Sequence, residues 1–196
     1  ELPMSAYTHR AWWANDSVGH PQSRLWLDAG WRTSYINMSQ ESVVFARIRE
    51  KERAYIGFFN ELIGQLKKEA DFSIRDYSPN GNSWFVFQVI DSPGTIVGQF
   101  AFSFVRNGRF RVELYLDTQE KQSTKLLFDA IHKNHDRYAS QLRGVEWERI
   151  SDKRGARIAV YTDGDINAHE KDLKALRSWA VETMIRFYHV FEPEVS

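Results

Sequence analysis

Hydrophobic and polar positions alternate with a period of two through the middle of the chain, and this pattern predicts β-strands. In residues 95–105 (TIVGQFAFSFV) the alternation puts Phe100, Phe102 and Phe104 on one face. In residues 109–117 (RFRVELYLD) it turns one set of side chains inward, namely Phe110, Val112, Leu114 and Leu116, and another outward, namely Arg111, Glu113 and Tyr115. Asn107-Gly108 between the two runs is a strong hairpin signal. We therefore expect two neighbouring antiparallel strands.

The pattern changes to helical spacing from Glu50 onward. The apolar residues of that segment fall on one face of a helix: Tyr55, Phe59, Leu62, Ile63 and Leu66. Similar spacing predicts helices over residues 121–142 and 168–191, and strand-like runs cover residues 83–90, 145–150 and 156–161. This order predicts an α+β domain over residues 50–196, in which helices cover a mainly antiparallel sheet.

The first 49 residues have a different pattern. We predict helices over residues 2–15 and 21–29 and strands over residues 31–38 and 42–48. Two short helices and a hairpin are the last parts of a winged helix-turn-helix, so residues 1–49 are interpreted as a winged-helix-like, tryptophan-rich domain. The first helix of such a fold would precede Glu1, which favours a truncated chain with room for a catalytic domain upstream.

Composition limits the classes of function. Lys plus Arg and Asp plus Glu number 26 each, so attraction to nucleic acid has to come from local patches. The absence of cysteine excludes disulfides, thiolate metal sites and a cysteine nucleophile, and it fits a reducing cytoplasm. No apolar run has membrane-spanning length, and no secretory signal opens the sequence. We expect a cytoplasmic protein with no membrane partner.

The tryptophan-rich segment supplies the first candidate site. We expect Trp12, Trp26 and Trp31 in a small core, whereas Trp13 should be partly exposed, because adjacent helical residues point about 100° apart. His20, Gln22, Ser23 and Arg24 open the second helix, where free N–H groups suit a phosphate and glutamine can pair with adenine. Capping and solvation are the alternative interpretation. The predicted DNA contacts here are His9, Arg10, Trp13, Asn15, His20, Gln22, Ser23 and Arg24.

Two basic turns of the larger domain supply further predicted phosphate contacts. Arg106 and Arg109 flank one turn, and Lys153, Arg154 and Arg157 surround Gly155 in the other. Ordinary solvated turns are the alternative, and the DNA interpretation gains if both turns project from the same side of the sheet.

Catalytic interpretations fit less well. A PD-(D/E)XK nuclease needs an acid on one strand and an acid-x-Lys on the next. Glu113 or Asp117 suits the first position, and Glu146 and Glu148 share a face, but Arg149 stands where the motif needs lysine and Lys153 is too distant. His132 and His135 beside Asp136 have a metal-site spacing without a matching pair on another helix. We predict no catalytic residue, no metal site and no cofactor.

Two resemblances cover almost the whole chain. Residues 2–47 contain the patterns Leu-Pro-x-Ser-Ala, Trp-Trp-x-Asn and Trp-Leu-x-Ala-Gly-Trp, and they resemble a small uncharacterised bacterial domain. The pieces RVELYLD, LLFDAI, VEWERISDKRGARIAVYTDGDI and WAVETMIRFYHVFEP resemble the uncharacterised C-terminal domain fused behind PD-(D/E)XK endonuclease domains in bacterial restriction-like proteins. This resemblance implies DNA handling in defence against foreign DNA, with the nuclease in a partner or an upstream domain.

The resulting hypothesis is a non-catalytic DNA-binding or specificity module of a bacterial restriction or defence protein. Its expected partners are double-stranded DNA with or without modified bases, a nuclease domain or partner protein, and a second copy of the chain in a homodimer. One alternative is a protein-interaction or dimerisation module with an exposed apolar patch on the phenylalanine-rich sheet. The other is a divergent metal-dependent endonuclease.

Overall fold

A computed structural model describes residues 2–15, 20–92 and 95–196, with the backbone alone at residues 92, 95 and 96. The chain forms two compact units. Unit 1 comprises residues 1–57 and 76–82, and unit 2 comprises residues 58–75 and 83–196.

Unit 1 is built from short elements. They are α1 (Met4–Thr8), a 3-10 turn (Arg10–Trp13), a second 3-10 turn (Pro21–Ser23), α2 (Arg24–Leu27), and the antiparallel strands β1 (Trp31–Asn37) and β2 (Ser42–Arg47). The prediction of one helix over residues 2–15 is wrong, because His9 adopts an extended backbone (φ −123°) and the chain continues in tighter 3-10 geometry. The prediction of a hairpin after the helices is confirmed.

Helix α3 (Glu50–Glu69) begins in unit 1 and continues in unit 2. Its apolar stripe is buried as predicted, since Phe59, Leu62 and Leu66 are almost fully enclosed. Within the described residues, every helix is too short or too polar to span a lipid bilayer.

Unit 2 contains a five-stranded sheet with strand order β3-β4-β5-β7-β6 and antiparallel neighbours throughout. The strands are β3 (Trp84–Ser92), β4 (Thr95–Val105), β5 (Arg109–Leu116), β6 (Val145–Glu148) and β7 (Ala156–Asp163). The helices of this unit, besides the end of α3, are α4 (Lys121–His132), α5 (His135–Ala139) and α6 (Glu170–Phe191). The predicted α+β class with a mainly antiparallel sheet is therefore confirmed.

One face of the sheet forms the core of unit 2. The inward set predicted for β5 is fully buried, as are Phe100 and Phe102 of β4. Phe187 of α6 contacts Phe100 with ring centroids 6.2 Å apart, and Trp147 of β6 packs against Phe128 and Phe191 on the same side. Helices therefore cover this face, and the alternation correctly predicted which strand positions meet them.

Local geometry explains where the predicted elements begin and end. The β4–β5 turn has positive φ at Asn107 (64°) and Gly108 (65°), as the predicted Asn-Gly hairpin requires. A single helix over residues 121–142 is wrong, because α4 ends at His132 and a separate short helix begins at His135.

Candidate functional site

Asn15 lies in a hydrogen-bonding network inside unit 1. Its Oδ1 accepts hydrogen bonds from the main-chain nitrogen of Thr33 (2.8 Å) and from Nε1 of Trp26 (3.1 Å). Its Nδ2 donates to the main-chain oxygen of Thr33 at 2.9 Å. Asn15 was predicted to contact DNA, but both polar atoms of its side chain are hydrogen-bonded within unit 1.

The tryptophans agree only in part with the predicted arrangement. Trp26 is buried and Trp13 is partly exposed, as expected. Trp13 packs between Trp12, Trp26 and Phe45, however, and its Nε1 is not free, because it donates to the main-chain oxygen of Ala6 at 2.8 Å. Trp31, which was expected in the core, is 37% exposed. Trp31 is therefore the more accessible candidate for stacking on a base.

The segment that opens the second helix is mostly turned inward. Ser23 is fully buried, Gln22 donates from Nε2 to the main-chain oxygen of Trp12 at 2.7 Å, and His20 is half-buried. Arg24 is exposed. Helix α2 has four residues, so it lacks the length of a recognition helix that could lie in a major groove.

The remaining predicted contacts of unit 1 are on the surface. His9 and Arg10 are exposed, and Nη1 of Arg10 donates to the main-chain oxygen of Ile36 on β1 at 2.9 Å. Arg10 therefore lies beside the hairpin. It keeps its positive charge there, because a main-chain carbonyl is uncharged.

Among the described residues, most arginines of unit 1 form no ion pair with a carboxylate. Arg32 pairs with Glu52 at 3.1 Å. Within residues 2–15, 20–92 and 95–196, no Asp or Glu forms an ion pair with Arg10, Arg24, Arg47, Arg49 or Arg53. The guanidinium of Arg47 instead lies 5.1 Å from the ring centroid of Trp31, directly across the hairpin. A cation and an exposed aromatic ring thus occur together on β1 and β2.

Unit 2 shows the opposite arrangement. Carboxylates pair with Arg75, Arg109, Arg111, Arg137, Arg149, Arg154, Arg157, Arg177 and Arg186. Arg154, for example, makes two hydrogen bonds to Asp117 (2.7 and 2.8 Å), and these bonds hold the pKa of the Asp117 carboxyl below its usual value. The positive charge of such a guanidinium group is already offset by a neighbouring carboxylate.

The two basic turns predicted to cooperate lie at opposite ends of the sheet. In the β5–β7 register Arg109 faces Asp163 and Leu116 faces Ala156. The turn of Arg106 and Arg109 therefore adjoins the end of β7, whereas the loop of Lys153 and Arg154 adjoins its beginning. Arg106 and Lys153 are exposed, and Arg109 packs 3.9 Å over the ring of Tyr161.

The face of the sheet opposite the core carries charged and aromatic side chains, and we call it the polar face. Glu113 lies at its centre and is only 5% exposed. It accepts a hydrogen bond from Ser103 (2.7 Å) and pairs with Arg111 (2.9 Å) and with Nε of Arg157. Predicted as an outward residue, Glu113 is buried because the two guanidinium groups enclose it.

Glu148 extends this network towards the edge strand β6. It accepts hydrogen bonds from Nη1 of Arg157 (2.7 Å) and from the hydroxyl of Tyr161. Burial raises the pKa of the Tyr161 hydroxyl, and the hydrogen bond to Glu148 raises it further. Tyr161 therefore remains a donor over the physiological pH range.

The acids considered for a nuclease do not form a metal site. Across the ranges that the structure describes, no three His, Asp or Glu side chains are placed so that they would hold a metal ion. Glu113 is flanked by cations, Glu146 pairs with Arg109 at 2.6 Å, and the rings of His132 and His135 stack with centroids 4.9 Å apart.

Several of these residues were not predicted from the sequence to lie at a candidate site. Trp31 was assigned to the core, and the role of Arg47 depends on its register opposite Trp31. Ser103, Trp84 and Ala101 line a depression on the polar face together with Arg111 and Glu113. The alternation of β4 and β5 places Ser103 beside Arg111, so this neighbourhood follows from the strand pattern once the pairing is known.

Comparison with known proteins gives two family matches. Residues 54–195 match the family described as Domain of unknown function (DUF4268), and residues 1–48 match the family described as Domain of unknown function (DUF7662). No curated protein and no solved structure matches the chain. Because the first match covers most of its residues, the chain belongs to the family described as Domain of unknown function (DUF4268).

Proposed function

We propose that the protein is a non-catalytic DNA-binding module and that unit 1 supplies the contact surface. The observation that carries this proposal is the set of arginines in unit 1 that have no carboxylate partner among the described residues: Arg10, Arg24, Arg47, Arg49 and Arg53. A chain with zero net charge attracts DNA only where its cations are locally unneutralised.

Unneutralised guanidinium groups suit phosphate oxygens, because their planar donors match the geometry of the anion. The paired arginines of unit 2 have a neighbouring carboxylate that offsets their charge, so they attract phosphate less. Among the described residues, Arg10, Arg24, Arg47, Arg49 and Arg53 of unit 1 have no such ion pair.

Exposed aromatic rings add a second kind of contact. Trp31 and Tyr35 of β1 are 37% and 56% exposed, and both are large enough to stack on an unpaired or distorted base. Arg47 packs against Trp31, so a base that approaches this ring also approaches a cation. This arrangement favours the hairpin over α2 as the principal contact.

The resemblance of unit 2 to a domain found behind nucleases supports a setting in restriction or defence. In that setting a nuclease in a partner or an upstream domain cuts the DNA, and this chain contributes affinity or specificity. The ion pairs around Glu113 support a structural role for that residue.

The test is a pair of matched double variants in fluorescence anisotropy with a labelled DNA duplex at several salt concentrations. Arg24→Gln with Arg47→Gln should weaken binding at least about tenfold and reduce the salt slope by about 2, because two phosphate contacts are lost. The control, Arg149→Gln with Arg154→Gln, removes two arginines that are paired with Asp129 and Asp117 and should leave binding unchanged. Equal losses in both variants, or wild-type binding that does not weaken with salt, would contradict the proposal.

A protein-interaction module is the second candidate, and a different observation favours it. The phenylalanines of the sheet are buried, so the predicted patch is not there. Large apolar side chains are instead exposed in unit 1, including Met4 and Leu25, the latter 77% exposed. This candidate predicts self-association that Leu25→Ser abolishes in sedimentation velocity, with no salt-sensitive affinity for DNA.

A further inference from the structure

A depression of about 350 Å³ lies on the polar face, above β4. Its walls come from β3 on one side and from β5 and β7 on the other. Its existence follows from the strand register. Trp84 stands opposite Ser103, and Ala101 stands opposite Glu113, so small side chains of β4 lie between large ones on both neighbours.

The two walls differ in chemistry. On the β3 side Trp84 is 50% exposed and presents its indole beside Val86. On the β5 and β7 side stand Arg111 and Arg157 with Glu113 between them. The depression is thus apolar and aromatic along one side and charged along the other.

The charged side is rich in hydrogen-bond donors. Arg111 and Arg157 flank Glu113, both oxygens of which are engaged, by Ser103 and by the arginines, and Arg157 also pairs with Glu148. Nε of Arg111 lies 2.9 Å from Glu113 without making a hydrogen bond, and its Nη1 donates to the hydroxyl of Tyr161 at 3.5 Å. Arg157 donates from Nε to Glu113 and from Nη1 to Glu148. Among the described residues no hydrogen-bond partner occupies Nη2 of either arginine, so both retain donor capacity.

We propose that this depression binds a small aromatic anion, with its ring against Trp84 and its one carboxylate or phosphate bound by Arg111 and Arg157. The exposed indole favours a stacked aromatic ring, and a carboxylate or phosphate accepts hydrogen bonds from the two Nη2 donors. The volume is at the lower end of the range for ligand pockets, so it suits a single fused ring system. The site lies wholly in unit 2, and it requires nothing from the DNA contacts proposed for unit 1.

Isothermal titration calorimetry tests the proposal with two anions from different sources, 2-naphthoate and adenosine monophosphate. Their uncharged counterparts are 2-naphthamide and adenosine. We expect at least one anion to bind, and its counterpart to bind at least about tenfold more weakly. Preference for naphthoate identifies an aromatic acid as the ligand class, and preference for the mononucleotide identifies a nucleotide.

Three variants locate the binding. Ala101→Leu fills the depression and Trp84→Ala removes its ring, and each should abolish or weaken binding at least about tenfold. Leu126→Ala is the matched control, because it truncates another exposed apolar side chain of unit 2 that does not line the depression. Circular dichroism checks the fold of each variant. If Ala101→Leu does not fold, Trp84→Ala still tests the proposal, because Trp84 is half-exposed and its truncation should not disturb the core. Absence of binding by both anions, equal binding of the uncharged counterparts, or undiminished binding in the folded variants would overturn the proposal.

Discussion

Asn15 joins three segments of unit 1 through one side chain. It links the turn after Trp13 to Trp26 of α2 and to Thr33 of β1. We expect Asn15→Ala to lower the free energy of unfolding by about 2 to 3 kcal/mol, because the main chain of Thr33 and the indole N–H of Trp26 would lose the hydrogen bonds that Asn15 makes. Urea unfolding followed by tryptophan fluorescence measures this loss.

Asn82 provides the control for that variant, because it is an exposed asparagine in the same unit. Asn82→Ala should leave the unfolding midpoint almost unchanged. If the two variants unfold at the same urea concentration, Asn15 does not have the stabilising role assigned to it.

At the scale of single residues, the sequence indicated which side chains could form a contact but not which group each of them contacts. An asparagine amide can bind a base edge or the main chain with the same atoms, and the choice depends on how residues 15 and 33 approach each other. Trp31 illustrates the same limit. Its neighbours in sequence suggested a core position, but the hairpin leaves the ring exposed against Arg47.

At the scale of elements, strands were more predictable than helices. The alternation in β5 correctly predicted that Phe110 and Val112 face the core, because a period of two leaves no ambiguity about the face. The spacing over residues 121–142 did not show that the chain leaves helical geometry around Asn134. Breaks of this kind depend on tertiary contacts that a periodic pattern does not contain.

The loop between β6 and β7 is held by one buried lysine. Lys125 of α4 donates from Nζ to the main-chain oxygens of Arg149, Ile150 (2.9 Å) and Gly155, and burial lowers the pKa of its ammonium group. We expect Lys125→Met to lower the free energy of unfolding by about 2 to 3 kcal/mol, because three carbonyls, that of Gly155 buried, lose the ammonium group as a donor. Amide exchange should accelerate across residues 149–155.

Lys121→Met is the matched control, since Lys121 lies on the same helix and is exposed. The amide exchange rates and the urea unfolding midpoint of this variant should be close to those of the wild type. Similar exchange rates for residues 149–155 in both variants would show that the loop does not depend on Lys125.

At the scale of the whole molecule, the two units differ in how many of their arginines form ion pairs with carboxylates. The sequence has equal numbers of acidic and basic residues, and a net charge of zero by itself argues against DNA binding. The structure adds that unit 2 pairs most of its arginines, whereas in unit 1 only Arg32 is paired with a carboxylate of the described residues. Charge pairing depends on side chains distant in sequence, so composition could not reveal it.

Photochemical cross-linking to duplex DNA that contains 5-iodouracil tests the central claim most directly, because the probe reacts with aromatic side chains in contact with the bases. Mass spectrometry of the cross-linked peptides should locate adducts within residues 31–47, at Trp31 and Tyr35, and the yield should fall as salt increases. Adducts confined to residues 83–196, or no adduct at low salt, would contradict the assignment of DNA binding to unit 1.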